Sequence, residues 1–167
     1  MNWDAIGAVG EIVGASGVVA SVVYLAIQVR RSIAESRAAT FHKIFEGVAA
    51  HTNHMFGSEN ADLVARGYRS YLSLPAPDRM RFDLLMSNLV NYFEASYYAA
   101  EADTLGDETI ENWVWWFESR IFCHPGVVEW WADGQGIYPL AIRSWIDKRI
   151  EKADQSADPY GLLKSAL

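Results

Sequence analysis

Residues 5–29 read AIGAVGEIVGASGVVASVVYLAIQV and hold a single charged side chain, Glu11, in twenty-five positions. Residues 12–29 hold none in eighteen. As a helix the longer run extends about 37 Å and the shorter about 27 Å, which brackets a hydrocarbon core about 30 Å thick. Trp3 and Tyr24 stand toward the two ends, and Arg30 and Arg31 follow at once, with Arg37 and Lys43 beyond. Positive charge flanks the C-terminal side only, so the positive-inside rule places the N-terminus outside and the rest of the chain in the cytoplasm. Met1-Asn2-Trp3-Asp4 carries no positive charge ahead of the run and no convincing cleavage site interrupts it. A retained single-pass anchor is therefore expected rather than a cleaved secretory signal. The competing reading is the central helix of a soluble bundle, since Gly7, Gly10, Gly14 and Gly17 make the run less greasy than a leucine-rich span.

Within this helix, counting sevens from Asp4 gives Asp4, Glu11, Val18 and Leu25, and from Gly7 gives Gly7, Gly14, Ser21 and Gln28. Together they form one stripe, flanked by Gly10, Gly17, Ala8 and Ala15, while Ile6, Val9, Ile12, Val13, Val19, Val23 and Ile27 lie on the far side. In lipid no hydrophobic force draws helices together, so small residues that let backbones approach, and shared polar contacts, drive association. The stripe predicts a homo-oligomer seam, and its heptad spacing suits a left-handed parallel bundle. In a dimer or trimer Ser21 and Gln28 bond across a packed seam. In a larger ring the same residues line a water-filled axis, with Glu11 as an acidic ring, which is how simple pores select cations. Against that role, Glu11 lies about 28 Å from Arg30 along the axis and suits the outer headgroup level equally well.

The remaining composition sets the frame. The 167 residues suit one domain with an appendage, and 51% hydrophobic with 13% aromatic residues excludes a disordered chain. The net charge of −7 falls wholly in 32–167, because Asp4 and Glu11 cancel Arg30 and Arg31. That balance argues against nucleic acid as a partner and for a body repelled by anionic lipid. One cysteine, Cys123, excludes an internal disulfide framework.

Apolar spacing is helical nearly throughout, with no period-two run. A helix over 32–56 is expected to leave the membrane and end at Gly57, with Ser58 as the next N-cap. A second covers 59–72 and stops at Leu74-Pro75-Ala76-Pro77. Pro77-Asp78 opens a third, where Phe82, Leu85, Met86, Leu89 and Phe93 recur on one stripe. Asp107 caps a fourth carrying Ile110, Trp113, Phe117 and Ile121, and Cys123-His124-Pro125-Gly126 breaks it. A short helix over 127–132 and a last one over 138–152 follow. The expected chain is thus all-α, with a transmembrane helix and basic flank over 1–31, a cytoplasmic bundle of about five helices over 32–153, and a flexible tail over 154–167.

Chemistry is sparsely announced. No nucleophile elbow, phosphate loop, dinucleotide fingerprint or His-Glu-x-x-His motif is present, so no catalytic residue, metal or cofactor is assigned and an enzyme is not the favoured reading. His51 and His54 lie three apart and His42 precedes Glu46 by one turn, but they read as solvated surface histidines rather than ligands. Cys123 beside His124 reads as a buried structural cysteine, because adjacent side chains point apart. Six of the seven tryptophans fall in the last third, and Trp115 and Trp116 are not expected to share a single helix face with Trp113. Trp113, Trp115, Trp116, Trp130 and Trp131 read as core rings or, functionally, as an interface toward a protein partner.

The opening 1–11 and the junction Val23-Tyr24-Leu25-Ala26-Ile27-Gln28-Val29-Arg30 resemble a family of short uncharacterised bacterial proteins with an N-terminal Gly-rich membrane helix and a helical cytoplasmic domain. The resemblance extends loosely from Trp113 to Trp131. It implies a bacterial inner-membrane setting and supplies no activity. Two functions are expected from these residues: a homo-oligomeric membrane protein with a cation-conducting axis or, as the alternative, a membrane-anchored module that binds a protein partner through its Trp-rich region.

Overall fold

The computed structural model describes residues 3–154 and 156–162, and side chains 3–6, 8, 9 and 107 lie outside what it describes. The described residues form six α-helices and no strand: α1 (Trp3–Met55), α2 (Ala61–Arg69), α3 (Ala76–Glu101), α4 (Asp107–Arg120), α5 (Pro125–Gly134) and α6 (Leu140–Lys152), with one 3₁₀ turn at Gln135–Ile137. The chain divides into two compact units between Thr40 and Phe41.

The first unit is the leading part of α1, one helix long and apolar enough to cross a membrane. Every residue from 10 to 39 is exposed.

The second unit has a single apolar core. The three- and four-residue spacing read in α3 delivers what it predicts, since Phe82, Leu85, Met86, Leu89 and Phe93 are all buried. Helix α2 packs against α3 and α5, and α4 packs against α3 and α6. Two glycines set the closest of these approaches. A Cβ on Gly126 of α5 would collide with the Gly67 carbonyl of α2, and a Cβ on Gly67 would collide with the Phe82 ring of α3. Gly47 of α1 meets the Tyr92 ring of α3 in the same way, its notional Cβ standing 2.5 Å from the ring edge.

Helix starts differ from expectation where turn geometry outranks residue type. Instead of opening at 59 behind Ser58, α2 opens at Ala61, because the Asn60 and Ala61 N–H groups close a turn on the Gly57 carbonyl at 3.0 and 2.9 Å. It ends at Arg69 rather than 72, as Ser70 is already extended. Gly106, not Asp107, is the N-cap of α4, and its carbonyl accepts from the N–H groups of Thr109 and Ile110. Proline governs the other starts: Pro125 is the first residue of α5, two earlier than expected, while Pro75 and Pro139 stand just ahead of α3 and α6.

The glycine crossing is testable. Gly126→Ala must displace backbone and should cost at least about 1–3 kcal/mol, as overpacked cores do. Gly134→Ala, where a Cβ meets nothing within 4 Å, should be neutral or stabilising. Chemical denaturation of both variants checks this; equal midpoints would remove the crossing as a constraint.

Candidate functional site

The stripe on α1 has the geometry its spacing implies. Gly7, Glu11, Gly14, Val18, Ser21, Leu25 and Gln28 fall within an arc of about 100° on an ideal helix. All seven are exposed, as are Tyr24, Arg30 and Arg31. No atom lies within 4 Å of where a Cβ would stand on Gly7, Gly10, Gly14 or Gly17, so this side is open surface. The Ser21 hydroxyl donates to the Gly17 carbonyl at 2.8 Å, and the Gln28 amide donates to the Tyr24 hydroxyl at 2.7 Å. Ser21 and Gln28 thus each donate one hydrogen bond within their own helix. The side chains of Trp3 and Asp4, expected as a membrane flank and a stripe member, lie outside the described residues.

The tryptophans separate into core and surface. Trp130 and Trp131, read as interface candidates, are both 2% exposed. They are core rings because their indole N–H groups have internal acceptors, Trp130 donating to Asp83 at 2.7 Å and Trp131 to Asp147 at 2.8 Å. Trp115 points to solvent at 61% exposed. Trp113 and Trp116 share a helix face that leaves out Trp115, since three residues on a helix return to nearly the same side. Both line a cleft of about 400 Å³ with Asn112 of α4 and with Phe45, Val48, Ala49 and Thr52 of α1. No charged side chain lines it, and the Thr52 hydroxyl is turned back onto the Val48 carbonyl. The wall that α1 contributes is not legible in the sequence, because Phe45, Val48, Ala49 and Thr52 look there like an ordinary continuation of the helix.

One histidine, His51, is placed differently from expectation, and a second, His124, lies in the core. His42 and His54 are exposed, but His51 is buried at 8%, and its Nε2 donates to the Leu85 carbonyl at 2.9 Å. It is a packing residue between α1 and α3, with its ring 5.9 Å from that of Tyr92. Burial lowers its pKa, opposed by the bond to Leu85 and reinforced by His54. His124 is wholly buried, stacked on Tyr68 at 4.2 Å on one side and Tyr160 at 5.7 Å on the other. Burial pushes it below the ordinary imidazole range too, against the pull of Asp158 and the Arg120 carbonyl. Tyr160 lies in the stretch expected as a tail, where the Leu162 carbonyl also accepts from Arg69 Nε at 2.6 Å. Cys123 is buried, its thiol donates to the Ser119 carbonyl at 3.4 Å, and burial pushes its pKa up, away from thiolate chemistry. Among the described residues no group of three or more His, Cys, Asp or Glu side chains is arranged to hold a metal ion.

Comparison with protein-family models, with curated proteins and with solved structures yields no match for this chain.

The buried histidines fix a pH response. Both fold with a pKa below 6.5, so the unfolded chain takes up protons first as pH falls. Their contribution to stability is fully present above about pH 6.5 and is lost on acidification through and below it. The full chain in detergent should melt at lower temperature at about pH 5 than at about pH 7.5, and His51→Gln should shrink that difference. A melting temperature unchanged across the interval would contradict the burial of both rings.

Proposed function

We propose that the chain is a homo-oligomeric single-pass membrane protein whose apolar helix also associates copies of the chain, holding a helical binding module at the cytoplasmic surface. One observation carries this reading: residues 10–39 are exposed without a break. They include Ile12, Val13, Val18, Val19, Val22, Val23, Leu25, Ile27 and Val29, each 46–67% exposed. The core helix of a soluble bundle would be covered by its neighbours, and a monomer in water does not carry a continuous apolar surface of this length. Lipid removes the penalty, because the helix satisfies its own backbone and presents aliphatic side chains to hydrocarbon. Arg30 and Arg31 orient it with the N-terminus outside, and a bacterial inner membrane is the setting the sequence resemblance suggests.

Self-association rests on the open glycine side of α1. Ser21 and Gln28 each make one bond within their own helix and keep further hydrogen-bonding capacity for a neighbouring copy. Cation conduction with Glu11 as an acidic ring is the more specific form of the same assembly. A second reading, a tethered module that takes its partner through the Trp113 and Trp116 cleft, is supported by a recess lined without charge between α1 and α4.

Membranes expressing the full chain should retain it through a carbonate wash. In mild detergent its native mass should be that of a discrete oligomer, reduced by Gly14→Leu in the stripe and unmoved by Val19→Leu on the opposite side. A monomer, or an oligomer indifferent to Gly14→Leu, would remove the seam. In liposomes, ion flux altered by Glu11→Gln would establish conduction, and an intact oligomer without flux would exclude it.

A further inference from the structure

A second recess of about 400 Å³ in the helical unit carries both signs of charge on its wall. It forms where the end of α1 brings His54, the turn ahead of α2 brings Glu59, and α3 brings Arg81. Asn60 beneath them is 4% exposed and spends both ends of its amide on this corner. Its Nδ2 donates to the His54 carbonyl at 3.0 Å, and its Oδ1 accepts from one terminal nitrogen of Arg81 at 3.0 Å. Arg81 is thereby held by one corner of its fork, with its other N–H groups free of protein acceptors among the described residues. Leu84 and Leu85 follow Arg81 on α3 at helical spacing and give the recess an apolar floor, Leu84 being 57% exposed.

Arg81 and Glu59 line one recess, yet neither has an ion-pair partner among the described residues, in contrast to Arg66 and Arg149, which do. Opposite charges that share a recess without touching leave room for a group between them. A simple anion would be drawn by Arg81 and repelled by Glu59, and a simple cation the reverse. A molecule bearing both charges is favoured at each wall.

We propose that this recess binds a small zwitterion, a free amino acid with an apolar side chain. Its carboxylate pairs with the open edge of the Arg81 guanidinium, its ammonium faces Glu59, and its side chain lies over Leu84 and Leu85. Guanidinium suits the carboxylate because its planar fork offers two parallel donors. The recess volume falls in the range of small-molecule sites.

The test is calorimetric titration of the full chain in detergent with L-leucine, beside isocaproate, which lacks the ammonium, and isoamylamine, which lacks the carboxylate. Saturable leucine binding is expected, with each half-molecule at least about tenfold weaker. Glu59→Gln should bring leucine down to the level of isocaproate, and Arg81→Met down to that of isoamylamine. Glu59 is exposed, so Glu59→Gln leaves the fold intact even if Arg81→Met does not. No saturation by about 10 mM, equal binding of leucine and either half-molecule, or leucine affinity unchanged in Glu59→Gln would each overturn the proposal.

Discussion

The carbonyl of Gly67 occupies the place where a side chain on Gly126 would begin, so α2 and α5 cross at backbone distance. Much of the helical unit follows from that crossing. It sets the face of α5 that carries Val127, Trp130 and Trp131 into the core. It also leaves Gly67 with the Phe82 ring of α3 against its other side. Three helices are pinned at one point by the absence of two side chains. The large rings then fill the space around that point, with each buried indole N–H led to a carboxylate at its edge. Close-packed interiors tolerate neither a void nor an extra methyl at such a crossing.

Helix α1 meets two different requirements along its length. Residues 10–39 are exposed, and those from 12 to 29 are mostly aliphatic or small, which suits a surrounding of lipid or of like helices. Beyond Phe41 its successive faces are used separately. Gly47 and His51 turn toward α3, Phe45, Val48 and Thr52 toward α4, and His54 toward the polar recess. The chemistry of each face matches its neighbour. A glycine stands where a tyrosine ring must come close, a histidine where a carbonyl needs a donor, and aliphatic or aromatic groups where two tryptophans stand.

How much of this could be read beforehand depends on whether the information was local. The stripe of α3 was legible because one wide apolar face packed on one core leaves a regular spacing. The apolar character of residues 5–29 was legible from composition alone. The burial of His51 was not, because a histidine is polar by type and only a distant carbonyl, thirty-four residues on, makes its burial tolerable. The choice between core and interface for Trp130 and Trp131 was not local either. Adjacent residues on a helix point about 100° apart, so both can be buried only if the helix is covered on two sides. Helix α5 is so covered, since α2 packs on it at the glycine crossing and Tyr138 stacks on Trp131 at 5.3 Å. Helix starts shifted by one or two residues because prolines and backbone turns fixed them, where Ser58 and Asp107 had the better side chains for capping.

The two recesses beside the end of α1 were illegible for a further reason, which bears on function. Each is assembled from residues that look unremarkable in their own segments: Asn112 beside two tryptophans, or Asn60 after a turn. Neither segment alone announces chemistry. In the apolar cleft the walls come from helices that are about sixty residues apart in the chain, and their neutrality appears only when both are in place. In the polar recess, Asn60 matters because its amide fixes Arg81 while Glu59, the preceding residue, has no ion-pair partner among the described residues. A buried amide that commits both its ends to a neighbour's position acts as a support for that neighbour's remaining donors. Sites built this way depend on the packing of α1 against α3. Gly47 and His51 are therefore joined physically to the recess, although neither lines it.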